Sequence, residues 1–297
     1  MQKVLVIVGP TASGKSALAI DLAKRLNGEV VSADSRQVYK GLNIGTGKIT
    51  RQEMKGVKHY LLDVASPKKA FTASDFVRLA SKSIHVIAKM KKLPVICGGT
   101  GFYIDALLGR AALPDVPPNK TLRAHLAKKT ATELFTMLEK SDIHRARGMN
   151  DSDKKNPVRL IRALEIASFK KNKTLFQENK KEYDALWIGI RPDKKTLRQK
   201  IHKRLLKRMK SGMVNEAQRL HGAGLSWKRM EALGLEYRYL ASYLQNKISK
   251  EEMLKQLENK IWQYSKSQMT YWRRNKDIQW FSTPKKAAKA LDRANIS

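Results

Sequence analysis

The first apolar run, Val4-Leu5-Val6-Ile7-Val8, is short and β-branched, which reads as a buried strand. Leu18, Leu22 and Leu26 follow at helical spacing, so a helix comes next. Glu29-Val30-Val31-Ser32 reads as a second strand and His59 to Val64 as a short third one. From Ser74 to Lys92 the pattern is helical, with Phe76, Leu79, Ala80, Ile84 and Ile87 on one face. Leu93-Pro94-Val95-Ile96-Cys97 is the next buried strand and runs into a glycine-rich turn. Strands alternating with helices predict an α/β fold with a parallel sheet flanked by helices.

The alternation stops at Leu113-Pro114-Asp115-Val116-Pro117-Pro118, where three prolines fall within five residues. From there to about Asp184 the pattern is helical. Asn156-Pro157 reads as an N-cap with proline at the first helical position. In that helix Arg159 and Arg162 share a face, opposite Val158, Ile161, Ala163 and Leu164. Leu186 to Ile190 returns to a strand. Residues 112–184 are therefore expected as an all-helical domain inserted into a core of residues 1–111 and 185–297. A long helix is expected from Thr196 to about Leu220, with Leu197, Ile201, Leu205 and Met209 toward the core. Lys200, Arg204 and Arg208 form a basic stripe beside them, which most simply faces solvent. Ser249-Lys250-Glu251-Glu252 is a capping box opening the last long helix, which carries Leu254, Leu257, Ile261 and Tyr264. Trp262 and Trp272, among basic residues, suit either nucleic-acid contact or the core. The tail after Thr283 is basic, rich in alanine and expected to fray.

Chemistry enters at Gly9-Pro10-Thr11-Ala12-Ser13-Gly14-Lys15-Ser16, between the first strand and the first helix. In that setting the sequence is a phosphate-binding loop, giving a core like that of the P-loop NTPases. Glycines let backbone N–H groups turn toward phosphate oxygens, and the helix aims its positive end at the same point. Lys15 reaches a terminal phosphate and Ser16 is the expected ligand of a Mg²⁺ ion. Asp34 lies just past the second strand, where α/β sheets bind ligands, and could bind metal, cap a turn or act as a base. Gly41 to Lys48 is a second glycine-rich loop, either a further phosphate contact or a connection. Asp63, ahead of Pro67, reads as a turn residue rather than a metal ligand. Thr100, in Gly98-Gly99-Thr100-Gly101-Phe102-Tyr103, sits on the same sheet edge and is a candidate for the site floor.

Composition narrows the partners. The 297 residues carry 60 Lys+Arg against 26 Asp+Glu, a formal charge of +34. Such a field favours polyanions, nucleic acid before membrane surface. A small-molecule kinase would share the phosphate loop but has no use for this charge. An ATP-switched nucleic-acid binder would need a second hydrolase carboxylate, and none stands out. With Cys97 alone, neither an intramolecular disulfide nor a cysteine-rich zinc site is expected. No apolar segment approaches the ~20 residues of a membrane span. The expectation is a soluble, cytoplasmic monomer.

GPTASGKS (residues 9–16), DSRQVY (34–39), GLNIGTGK (41–48), GGTGFY (98–103) and RLIRALE (159–165) occur in this order. Together they resemble the bacterial tRNA dimethylallyltransferases, also called tRNA isopentenyltransferases, over most of the chain. The resemblance implies transfer of a dimethylallyl group from its diphosphate to the exocyclic amine of tRNA adenosine 37, beside the anticodon. It implies that the loop Gly9–Ser16 holds the diphosphate leaving group with Mg²⁺. It makes Asp34 the general base, Thr100 the residue that hydrogen-bonds the adenosine, and Arg204 a diphosphate contact. Asp34, Ser35, Arg36, Gln37, Thr100, Arg123, Val158, Arg159, Leu160, Ile161 and Arg162 match positions that grip the anticodon stem-loop. The helical insertion matches the family's tRNA-clasping domain. The chain departs from the family pattern at Gly234-Leu235-Glu236-Tyr237-Arg238, as though two residues were inserted, and at Trp262 and Ser265 to Gln268. The family's C-terminal tRNA contacts are not carried across at those positions.

Overall fold

The structure is a computed structural model describing residues 1–114, 116–170 and 182–293. Asp115 of the proline-rich linker, residues 171–181 of the expected insertion and residues 294–297 of the tail lie outside the described residues. The chain forms two compact units, Met1–Ala111 with Lys180–Ser297, and Ala112–Asn179.

The first unit is built on a six-stranded parallel sheet. Its strands are β1 (Gln2–Val8), β2 (Gly28–Ala33), β3 (His59–Tyr60), β4 (Leu93–Gly98), β5 (Tyr183–Ile190) and β6 (Gln279–Phe281), in the order β3-β2-β4-β1-β5-β6. The helices α1 (Lys15–Arg25), α2 (Arg51–Met54), α3 (Ala73–Lys89) and α4 (Gly101–Leu107) separate the early strands. On one face of the sheet Phe76, Ile84 and Ile87 of α3 pack with Ile104 and Trp187. On the other, Leu18 and Leu22 of α1 pack on Ile7, Val95 and Ile188. The apolar runs of β1 and β4 are buried from both sides, which is why they carry no alternation.

The second unit holds α5 (Lys120–Leu126), α6 (Ala131–Ser141), α7 (Ile143–Arg147), α8 (Asp151–Lys154) and α9 (Pro157–Lys170) around Leu126, Leu134, Leu138, Leu160 and Leu164. Asn156 caps α9, accepting from the N–H groups of Val158 and Arg159. The rest of the first unit adds α10 (Lys194–Lys210), α11 (Met213–Gly222), α12 (Trp227–Leu233), α13 (Leu235–Leu244), α14 (Lys250–Trp272) and α15 (Pro284–Arg293). The capping box at Ser249 and Glu252 forms as the sequence indicates.

Several expectations are corrected. The helix expected over 196–220 is two, because Gly212 takes φ 91° and starts α11 in a new direction. The third strand stops at Tyr60, since Leu61 and Asp63 take φ 64° and 57° and turn the chain. Helix α3 ends at Lys89 rather than Lys92, with Lys91 left-handed at φ 54°. Strand β5 starts at Tyr183, ahead of the expected boundary at 185, because Tyr183 pairs with Gln2. On α9 Ala163 and Leu164 are buried as expected, but they are joined by Leu160, fully buried, while Val158 is 76% exposed. The tail is not frayed through Arg293: α15 buries Ala287, Ala288 and Leu291 against the α1 face.

Candidate active site

Turns after β1, β2 and β4 converge at the carboxyl edge of the sheet, as the fold requires of a ligand site. They line a cavity that opens to solvent. Thr11, Lys15 and Ser16 enter from the first turn, Asp34 and Gln37 from the second, and Cys97 and Gly98 from the third. Ser32, Thr46, His59, Arg204, Tyr264 and Gln268 complete the polar wall, and Ala19, Val30 and Ile49 make an apolar part.

Gly14, whose φ of 93° a side chain resists, caps helix α1, and the helix's first turn holds no acid. Its unpaired amides and positive end suit an anion. Lys15 Nζ donates to the Pro10 carbonyl at 3.2 Å. Gln268 crosses from α14 to accept the Thr11 N–H at 2.8 Å, and donates to the Gly99 carbonyl at 3.0 Å. Ser13 Oγ is buried without a partner among the described residues.

Asp34 Oδ1 accepts the N–H groups of Arg36 (2.8 Å) and Gln37 (3.2 Å), so its turn role is real. Neither bond uses Oδ2. Thr100 stands next to this turn: its Oγ1 accepts the Ser35 N–H at 3.0 Å. Arg204 reaches across from α10 and donates to the Gly47 carbonyl at 3.1 Å. Among the described residues lining the cavity, Asp34 is the one carboxylate, against Lys15 and Arg204. Burial pulls Lys15 below the ordinary lysine value, and the charge of Arg204 adds to the effect while Cys97 and Asp34 oppose it. Burial, then the neighbouring Arg208, pulls the Arg204 guanidinium down to about 10. Burial also pushes the Cys97 thiol up to about 11, so it stays protonated. Two cations are thus held partly stripped of water, an arrangement that a dianion would relieve.

The basic stripe of α10 needs correction. Lys200 is exposed, but Arg204 and Arg208 turn inward; Arg208 is only 9% exposed. Arg208 donates to the Gly45 carbonyl (3.1 Å) and pairs with Glu236 (2.9 Å), in the stretch Gly234 to Arg238. The Gly41–Lys48 loop is no slack connection. Asp63 pairs with Lys48 at 2.6 Å, in keeping with a turn role. Trp272 is core, with its ring against Trp187, while Trp262 is half-buried under Arg198.

The other sequence-derived positions lie in the second unit. Glu165, its side chain 1% exposed, gathers Arg123 (2.9 and 2.8 Å), Arg162 and the Asn119 N–H (2.6 Å). Arg162 also donates to the Val116 carbonyl at 2.9 Å, and Arg159 pairs with Asp153. Leu160 is buried in this unit's core, so its side chain is removed from the set of RNA contacts. Sequence reasoning passed over Gln268 and Glu216. Each is a polar residue on a buried helix face, Gln268 following Met253, Leu257, Ile261 and Ser265, and Glu216 between Met213 and Ala217. That interruption of an apolar stripe was the available signal.

The sequence profile of the IPP transferase family matches residues 37–275. A relative from Treponema denticola, tRNA dimethylallyltransferase 2, is 43% identical over 91% of each chain. The crystal structure of a tRNA isopentenylpyrophosphate transferase from Bacillus halodurans superposes with a TM-score of 0.74 at 32% identity, covering 99% of this chain and 96% of that one. Its counterpart from Staphylococcus epidermidis gives 0.71 at 34%, covering 99% and 98%. The site, the fold and these likenesses agree, and the chain belongs to the IPP transferase family.

Proposed function

We propose that the chain transfers the dimethylallyl group of dimethylallyl diphosphate to the exocyclic amine of adenosine 37, in the anticodon stem-loop of tRNA. The observation that carries this is one carboxylate, Asp34, sharing a cavity with two half-buried cations, Lys15 and Arg204. Lys15, Arg204 and the amides opening α1 take the diphosphate and stabilise the charge it gains as the carbon–oxygen bond breaks. The apolar wall of Ala19, Val30 and Ile49 suits the hydrocarbon. An adenine amine is a poor nucleophile, so Asp34 accepts its proton as the new carbon–nitrogen bond forms. The Thr100 hydroxyl, which accepts from Ser35, keeps its own hydrogen to donate to the base.

Among the described residues no group of three or more His, Cys, Asp or Glu could hold a metal. The Ser16 hydroxyl on the cavity wall fits instead a Mg²⁺ that keeps phosphate oxygens and water as its other ligands. When bound there, the ion would neutralise part of the leaving group's charge. Ser35, Arg36 and Gln37, on the turn beside Asp34, and Arg123, Val158, Arg159, Ile161 and Arg162, on the second unit, are the proposed tRNA contacts. Exposed Val158 supports that reading, and so do the arginines, which keep exposed surface while Glu165 and Asp153 orient them. A tRNA substrate places the work in the cytoplasm.

The test is purified protein with Mg²⁺, dimethylallyl diphosphate and unmodified tRNA, followed by mass spectrometry of the nucleosides. Prenylated adenosine from tRNA with adenosine at 37, and none from tRNA with guanosine there, is the expected result. Asp34→Asn, which keeps an oxygen for the Arg36 and Gln37 N–H groups but cannot take a proton, is expected to slow a single turnover by ~10²–10⁴ with tRNA affinity little changed. An unaltered rate removes Asp34 from the role of base. ATP consumption on a small acceptor, with no change in tRNA, overturns the reading.

A further inference from the structure

The loop Gly41–Lys48 supplies Thr46 to the cavity wall but contains no helix or strand. Such a wall keeps its shape only if its backbone groups are tied down. Glu216, on α11 and 3% exposed, does this. Its carboxylate accepts the N–H groups of Asn43 (2.9 Å), Ile44 (2.7 Å) and Gly45 (2.9 Å). The Tyr237 hydroxyl of α13 donates to it at 2.7 Å. Four donors match the roughly four lone-pair sites of a carboxylate. The constraint is passed on inside the loop: Gly47 N–H donates to Ile44 (3.0 Å), Lys48 N–H to Asn43 (2.9 Å), and the Thr46 hydroxyl to Leu42 (2.6 Å). It ends at the Gly47 carbonyl. That oxygen receives Arg204 at 3.1 Å and Gln37 at 3.4 Å, and both side chains line the cavity.

We propose that Glu216 is a positioning residue for Arg204. By fixing the Asn43–Gly45 amides it fixes the Gly47 carbonyl, and that carbonyl holds the guanidinium at the cavity. The inference rests on the reading that Arg204 takes the donor's diphosphate. An arginine held in place before the ligand arrives loses less side-chain freedom on binding, so the benefit falls on the diphosphate donor. It reaches tRNA only through Gln37, which holds the same carbonyl by the longer bond of 3.4 Å, so the effect there is smaller.

The experiment measures kcat, the KM for dimethylallyl diphosphate and the KM for tRNA. Glu216→Gln keeps the shape but turns an amide NH₂ toward backbone donors. It is expected to raise the donor KM about tenfold while moving the tRNA KM less than about twofold. Tyr237→Phe, which removes one of the four donors, shifts the donor KM in the same direction by less and carries the test if Glu216→Gln fails to fold. The decisive step repeats each change in an Arg204→Ala background, where the effect is expected to vanish. The same loss in both backgrounds, or a loss shared equally with the tRNA KM, overturns the positioning role. A donor KM unchanged by Arg204→Ala alone overturns the diphosphate reading instead.

Discussion

Gly47 has φ 58°, and a Cβ there would strike the guanidinium groups of both Arg204 and Arg208. Gly47→Ala therefore carries two costs, about 1–2 kcal/mol of left-handed strain and the displacement of one buried and one half-buried cation. The expected outcome is a folded protein with a lower urea midpoint and a donor KM raised at least as far as in Glu216→Gln. A second residue-scale prediction concerns Glu165. Burial alone would raise its pKa; the hydrogen bonds from Arg123, Arg162 and the Asn119 N–H outweigh it and hold the group at about 2, below the ordinary 4.5. A carboxyl depressed on folding contributes stability above its unfolded pKa and loses it as pH falls through its folded one. The contribution should be complete above about pH 4.5 and fade toward pH 2. Acid unfolding followed by circular dichroism should show that slope, and Glu165→Gln should remove it at the cost of stability at neutral pH. Lys15, Ser16 and Asp34 were legible in the sequence because each sits in, or one residue past, a strand-to-helix turn, where position alone implies a role. Gln268 was not, because its partner Thr11 is 257 residues away and only the folded helix α14 brings them together.

The elements that were read correctly are those whose signal is local. An apolar β-branched run made β1, an N-cap asparagine before proline made α9, and a capping box made α14. Those read wrongly depend on distant partners. Strand β6 is three residues long and exists because Ile188, Gly189 and Ile190 of β5 offer it an edge. Helix α15 looks polar, with two alanines and a leucine for its apolar face, yet these find a slot against α1. The break at Gly212 was passed over because the apolar repeat continues on its far side through Met213 and Ala217. Helix α15 also begins beside the phosphate loop, with Pro284 Cγ 3.0 Å from where a Cβ on Gly14 would stand. Ending the chain at Thr283 is therefore expected to do more than trim a tail. Exposing the surface under Ala287, Ala288 and Leu291 should cost about 3 kcal/mol or more, read as a shift in the denaturant midpoint. A midpoint equal to that of the full chain would return α15 to the status of a loose end.

At the scale of the whole molecule the +34 charge has a structural logic. Many of the acids are spent internally: Glu216 on loop amides, Glu236 on Arg208, Glu165 on two arginines, Glu29 on Lys92. The helix caps at Glu53, Asp75, Glu133 and Glu252 use others on backbone N–H groups. With 26 acids against 60 bases the remaining carboxylates cannot offset the surface lysines, and the uncompensated charge is available to a polyanion. A protein that releases counterions from tRNA loses affinity linearly in log salt, with a slope of about −0.7 to −0.9 for each phosphate contacted. If the basic surface grips the stem-loop through five or more phosphates, the slope should be steeper than about −3.5. Filter binding or fluorescence anisotropy between about 50 and 200 mM salt resolves this. The donor KM offers an internal contrast: its cations are half-buried in the cavity, where screening is weaker, so it should shift less over the same range. A flat tRNA response would mean that the surface charge is merely solvated, and recognition would then fall to base contacts around the Asp34–Gln37 turn.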